Sequence, residues 1–195
     1  MMLSSPLMLQ IPPSMQMTDE QFFEFCQVNR DLRIERNKLG EISIMTPTGS
    51  ETGNRNFNMA VQLGVWAEKD GTGICFDSST GFTLSTGAKR SPDASWIKLE
   101  RWNALSKAEQ ESFAPICPDF IVELRSPSDR LSPLKEKMAE YLQEPGIQLG
   151  LLIDRKHRQV YIYRPGQPEE CLDNPANVSC EPVLPGFILN LNKVW

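Results

Sequence analysis

The stretch Pro118–Asp129, PDFIVELRSPSD, constrains the fold more than any other part of the chain. It reads as a strand running into a polar loop, and successive side chains on a strand point to opposite faces. Phe120, Val122 and Leu124 therefore share an apolar face, while Asp119, Ile121, Glu123 and Arg125 share the other. Within a strand, between Val122 and Leu124, a carboxylate is costly unless something pairs with it. A fold that accepts this strand centrally must bring Glu123 a partner: Arg125, a lysine, or a bound cation.

At 195 residues the chain can bury a substantial core, and we expect one domain over 18–195 preceded by an irregular arm over 1–17. The composition, 40% apolar and 23% charged, is that of ordinary soluble proteins, and no apolar run approaches the ~18 residues of a membrane span. The opening MMLSSPLMLQIPPSMQ lacks the basic segment of a secretory signal. Cys26, Cys75, Cys117, Cys171 and Cys180 are odd in number and include no CxxC pair, which predicts reduced thiols and a cytoplasmic protein. A single histidine, His157, leaves a zinc site without ligands. The net charge of -5 is not the footprint of a strong nucleic-acid binder. Only local patches, from Arg30, Arg33, Arg36 and Lys38 or from Arg155, Lys156 and Arg158, would meet a phosphate backbone.

Along the chain, Thr18 and Gln21 form a capping-box pattern before a short amphipathic helix, TDEQFFEFCQVNR. LRIERNK, Gly40 and EISIMTP then predict a hairpin. Phe57, Ala60, Val61, Gly64 and Val65 recur at helical spacing, predicting about five turns from Glu51 to Lys69 with KDGTG as the stop. Strand-like pieces follow at GICFDSS, GFTLST and SPDASWIKL, then a helix at SKAEQESF, a helix at LSPLKEKMAEYLQEPG, and strands at QLGLLID, RQVYIYRPG and GFILNL. The expected class is α+β or mixed α/β, built on one sheet.

Two PD dipeptides, Pro92-Asp93 and Pro118-Asp119, precede strands. Carboxylates on adjacent strands of one sheet can share a Mg2+, which takes one or two carboxylates and fills its other positions with water and phosphate oxygens. Asp93 with Glu123 is the natural pair, and a nearby base could orient or deprotonate a water and offset charge on a phosphate. PD before a strand is also ordinary turn chemistry, and an ion pair alone would satisfy Glu123. Lys135 and Lys137 flank the apolar face formed by Leu134, Met138, Tyr141 and Leu142, and periodicity cannot choose between them. His157 has no evident serine or cysteine nucleophile beside it, and GTGICF lacks the third glycine of a dinucleotide loop.

GEISIMTPTGSETGNRN, SPDASWI, PDFIVELRSPSD, KEKMAEYLQEPGIQLGLLID and VYIYRPG together, in this order, resemble the Uma-type restriction endonuclease family of the PD-(D/E)XK nuclease superfamily, over about residues 18 to 195. The resemblance implies a restriction-endonuclease-like core, a mixed central sheet flanked by helices with a Mg2+ or Mn2+ site at one end. It makes Asp93 the motif aspartate and Glu123 the motif glutamate, with Glu51 as an upstream helical carboxylate that helps hold the metal. Where the motif has lysine this chain has Arg125, which is nearly always protonated and suits phosphate binding better than proton acceptance. The lysine role passes to Lys137 on the following helix. Many relatives carry histidine after the residue matching Glu51; here Thr52 stands there.

The expected activity is metal-dependent hydrolysis of DNA by a homodimer with no membrane partner. The alternative is a catalytically inactive or regulatory dimeric module on a nuclease scaffold. Under the first reading, Asp93→Ala or Glu123→Ala abolishes cleavage and leaves the thermal melt nearly unchanged.

Overall fold

The computed structural model describes residues 6–45 and 47–195. The first five residues of the expected arm, and Thr46 near the end of the expected hairpin, lie outside them. In chain order the elements are β1 (Leu7–Leu9), α1 (Asp19–Val28), β2 (Arg33–Arg36), β3 (Ile42–Met45), α2 (Ser50–Asp70), β4 (Gly73–Asp77), β5 (Phe82–Thr83), β6 (Lys89–Arg90) and β7 (Ala94–Lys98). After these come α3 (Leu99–Asn103), α4 (Lys107–Gln110), β8 (Phe120–Arg125), α5 (Leu131–Tyr141), β9 (Leu149–Asp154), β10 (Gln159–Tyr163), β11 (Glu170–Asp173), β12 (Asn177–Ser179) and β13 (Ile188–Asn190).

Local chemistry sets several boundaries. The Thr18 hydroxyl accepts from the Gln21 amide and the Gln21 side chain accepts from the Thr18 amide, so the capping box starts α1. Gly71, at φ 70°, adopts the left-handed conformation that ends α2 and returns its amide to the Ala67 carbonyl. The stripe that announces α2 in the sequence is not its buried face, however. Met59, Leu63 and Ala67 pack inward, whereas Phe57, Val61 and Val65 stay exposed.

The expected single sheet is corrected to three among the described residues: a five-stranded β1-β3-β2-β6-β5, a six-stranded β11-β10-β9-β8-β7-β4, and the two-stranded β12-β13. Periodicity marks which residues are strands, but which strand each one pairs with is a long-range choice. The N-terminal arm is not irregular throughout either, since β1 pairs antiparallel with β3. In the six-stranded sheet β8 and β9 run parallel and α5 is their crossover, while the other pairings are antiparallel. The class is mixed α/β.

Both faces of this sheet are covered. Phe120, Val122 and Leu124 of β8 join α2 and the C-terminal segment in one core, and Ile121 joins Met138 and Tyr141 of α5 in another. All six residues of β8 are buried, so its charged face lies under α5 and not in water. No helix among the described residues is long and apolar enough to cross a membrane.

Candidate active site

The antiparallel register of β7 and β8, with Ala94 opposite Val122, carries Asp93 to the position beside Glu123. Asp93 Oδ2 accepts the Leu124 amide at 2.8 Å, which fixes the carboxylate against the strand. Its other oxygen accepts from an Arg33 terminal nitrogen at 2.8 Å. The Asn56 side-chain amide lies 3.5 Å from that same oxygen. Thus the residue before β7 and the elements β8, β2 and α2 each contribute one group to a single point.

From the crossover helix it is Lys137, and not Lys135, that reaches Glu123. Its Nζ lies 2.7 Å from Glu123 Oε1 and 2.8 Å from Glu35 Oε1. Glu35, on β2, also accepts from the Ser91 amide at 3.0 Å and from Arg90 at 3.1 Å, and Arg90 is in turn held by Glu140 at 2.6 Å. The Tyr141 hydroxyl donates to Glu123 Oε1 at 3.3 Å. Lys135, on the opposite flank of α5, reaches Glu169 at 2.6 Å and lies over the Tyr161 ring.

Burial polarises this cluster. Burial, together with nearby Asp93 and Glu35, pushes the Glu123 carboxyl up to about 7 against the pull of Lys137 and Arg33. Burial also acts on Glu35, but Lys137, Arg33 and Arg90 outweigh it and hold that carboxyl down at about 2. For Lys137, burial is outweighed by Glu123 and Glu35, so the ammonium is held more firmly than usual. Four carboxylates (Glu35, Asp93, Glu123, Glu140) thus meet three cations (Arg33, Arg90, Lys137) in one network.

The other expected site residues are placed differently. Glu51, in the first turn of α2, has a side chain 74% exposed and pairs with Arg55 at 2.7 Å and Arg155 at 3.8 Å. These contacts point it to solvent, so it does not join Asp93 and Glu123 as a third carboxylate. Arg125, expected to meet phosphate, is buried. It donates to Asp154 at 2.7 Å and to the Asp129 carbonyl at 3.1 Å, pinning the ends of β8 and β9 together. Of the expected basic patch, Arg33 and Arg36 are drawn into ion pairs with Asp93 and Asp19, while Arg30 and Lys38 remain exposed. Asp119 belongs to the far end of β8, where Arg101, the Lys98 amide and Gln148 satisfy it.

Sequence reasoning missed Glu35, Arg90 and Asn56, and read Arg33 only as surface charge. The alternation in RIER offered a signal, because Arg33 and Glu35 share one face of a strand whose opposite face carries Ile34.

Among the described residues no group of three or more His, Cys, Asp or Glu side chains is arranged to hold a metal ion. A hard cation that needs only one or two carboxylates still fits the donors present. Glu123 Oε2 makes none of the bonds described above, and Asn56 Oδ1 is buried without a hydrogen-bond partner beside Asp93. Oxygen donors left over at a carboxylate pair are what a Mg2+ or Mn2+ ion takes.

No curated protein matches the chain. Among solved structures it is similar to a "putative nuclease belonging to DUF820" from Anabaena variabilis ATCC 29413, with a TM-score of 0.73 at 19% identity, covering 91% of this chain and 97% of that one. At that identity the likeness shows a shared fold. The Uma2 family, described as "Putative restriction endonuclease", matches residues 19–192, and the chain belongs to that family.

Proposed function

We propose that this chain is a divalent-metal-dependent endonuclease that hydrolyses DNA phosphodiester bonds. The observation that carries the reading is the meeting of Asp93, Glu123 and Lys137, from two adjacent strands and the crossover helix, at one buried point. Asp93 and Glu123 would hold Mg2+ or Mn2+, with Asn56 Oδ1 available beside them. A cation bound there supplies Lewis acidity toward a phosphate oxygen and lowers the pKa of a bound water.

The chain's own residues do the rest. Glu35 keeps Lys137 charged and aimed at Glu123, so Lys137 serves as a fixed positive charge for the developing charge on phosphate more readily than as a proton acceptor. The Leu124 amide and Tyr141 hydroxyl hold the two carboxylates in place. Glu51 lies exposed in the first turn of α2, where it would act only through water, and the largely buried Arg155 from the turn after β9 lies 3.8 Å from it. A homodimer in the cytoplasm fits cleavage of two strands and the scattered, unpaired cysteines.

The second reading, an inactive or regulatory module, draws on the way Lys137 and Arg33 already neutralise the carboxylates. Nicking of supercoiled plasmid in roughly millimolar Mg2+ or Mn2+ separates the two. The endonuclease reading expects cleavage by the wild type and none by Asp93→Asn or Glu123→Gln. Equal cleavage by wild type and both variants, or none by the wild type, would sink it.

A further inference from the structure

The groups of the cluster differ in how they meet solvent. The side chains of Asp93, Glu35, Glu123 and Lys137 are 8%, 5%, 4% and 11% exposed, whereas Arg33 is 27% exposed. Arg33 is therefore the outer wall of the site. One terminal nitrogen of its guanidinium donates to Asp93 Oδ1 at 2.8 Å, the other donates to the Ser91 carbonyl, and Glu35 Oε1 lies 3.9 Å away. Anything approaching Asp93 from that side meets Arg33 first.

This arrangement is incompletely satisfied. Arg33 Nε is buried without a hydrogen-bond partner, and so is Asn56 Oδ1, which belongs to the amide resting against the same Asp93 oxygen. Buried polar atoms are nearly always bonded, so the orphan Asn56 oxygen marks a place a cation can take, and the orphan Arg33 N–H, a donor, one that an anionic oxygen can fill. A guanidinium and a divalent cation at one carboxylate oxygen compete for its lone pairs, and their charges repel at that range.

We propose that Arg33 is the resident counter-ion of the metal site: its guanidinium holds Asp93 until a divalent cation displaces it, so Arg33 sets the affinity for the cation. Once displaced it remains at the rim of the site as the positive charge nearest an incoming phosphodiester. Arg33 stands on β2 of the five-stranded sheet and Asp93 precedes β7 of the six-stranded sheet, so cation entry is coupled to the contact between the two sheets. The inference rests on the reading of Asp93 and Glu123 as metal ligands.

The test is Mn2+ binding by titration calorimetry on the full chain, comparing wild type with Arg33→Met, Arg33→Gln and Asp93→Asn. Losing a charge-assisted competitor should tighten Mn2+ binding by about ten- to a hundredfold in both Arg33 variants. Their melting temperature without metal should fall, and their gain on saturation with Mn2+ should exceed that of the wild type. Arg33→Gln keeps a donor toward Asp93 and serves if Arg33→Met does not fold. Binding in the Arg33 variants that is equal to or weaker than wild type overturns the counter-ion role and leaves the metal reading standing. Absence of binding in every protein, or unchanged binding in Asp93→Asn, overturns the metal reading and this inference with it.

Discussion

The strand β8 begins and ends beside an aspartate of a PD pair, and the two ends behave differently. At its start, Asp119 is fully buried and meets one cation, Arg101 at 2.7 Å, with the Lys98 amide at 3.0 Å and Gln148 at 2.9 Å completing its bonds. Toward its other end, Asp93 shares its surroundings with Glu123, Glu35 and Glu140 against three cations, and an amide oxygen beside it goes without a donor. A structural carboxylate is closed by its own partners. The other end keeps an excess of carboxylate and unfilled oxygen positions, which is the condition for taking up a cation.

The sharpest way to break this contrast is to remove the charge that holds the crowded end together. Lys137→Ala leaves Glu35 and Glu123 buried without their ammonium. At pH 8 it should cost about 3–5 kcal/mol, seen as a fall in Tm of about 10 °C. Asp119→Ala at the closed end should cost about 2–3 kcal/mol in urea unfolding, with Mn2+ affinity unchanged. A change in that affinity would mean that the two ends are not separate.

Asp93→Ala sharpens the contrast from the other side. It should lose Mn2+ binding and cleavage, and it should also lower the melt by about 1–3 kcal/mol, because Arg33 and the Leu124 amide lose their acceptor. This corrects the expectation from sequence that the melt would hardly move. A smaller effect comes from pH. Between the ordinary 4.5 and about 7 the folded chain keeps a proton on Glu123 that the unfolded chain has released, so stability falls as pH rises through that window. Glu35 works in the opposite sense, its stabilisation being present above 4.5 and lost as pH falls toward about 2. Glu123→Gln should flatten the upper slope, which is at most about 1.4 kcal/mol per pH unit. Urea midpoints of both proteins from pH 4 to pH 8, roughly the span of the two carboxyls' ordinary titrations, would read it. The least effect belongs to Lys135→Ala, whose partly exposed pair with Glu169 contributes under about 0.5 kcal/mol.

Strand alternation placed Glu123 and Arg125 on one face, and the family pattern pointed to Asp93 over the more conspicuous Asp119; the β7–β8 register brings Asp93, and not Asp119, beside Glu123. Helical spacing found α2 but through Phe57, Val61 and Val65, which are exposed, because spacing reports a period and not which side the core takes. Lys135 and Lys137 stayed equivalent for the same reason. Arg125 looked available for phosphate because nothing local reveals Asp154, which reaches it only through the parallel pairing of β8 with β9. For Glu35 the alternation in RIER gave only a shared face with Arg33, since its partners Lys137, Ser91 and Arg90 lie more than fifty positions away in sequence.

The sequence by itself determined that β8 is a buried strand with a carboxylate that needs a partner, that Asp93 before one strand and Glu123 within another could meet, and which family the chain resembles. These follow from local periodicity and residue order. Tertiary structure decided which cations answer those carboxylates. It chose Lys137 over Lys135, brought Glu35 and Arg33 in from a second sheet, and left Glu51 in solvent. The physical reason is that a buried charge is satisfied by whatever group the folded chain brings within hydrogen-bond reach, and that choice is made by strand pairing and packing over long separations in sequence.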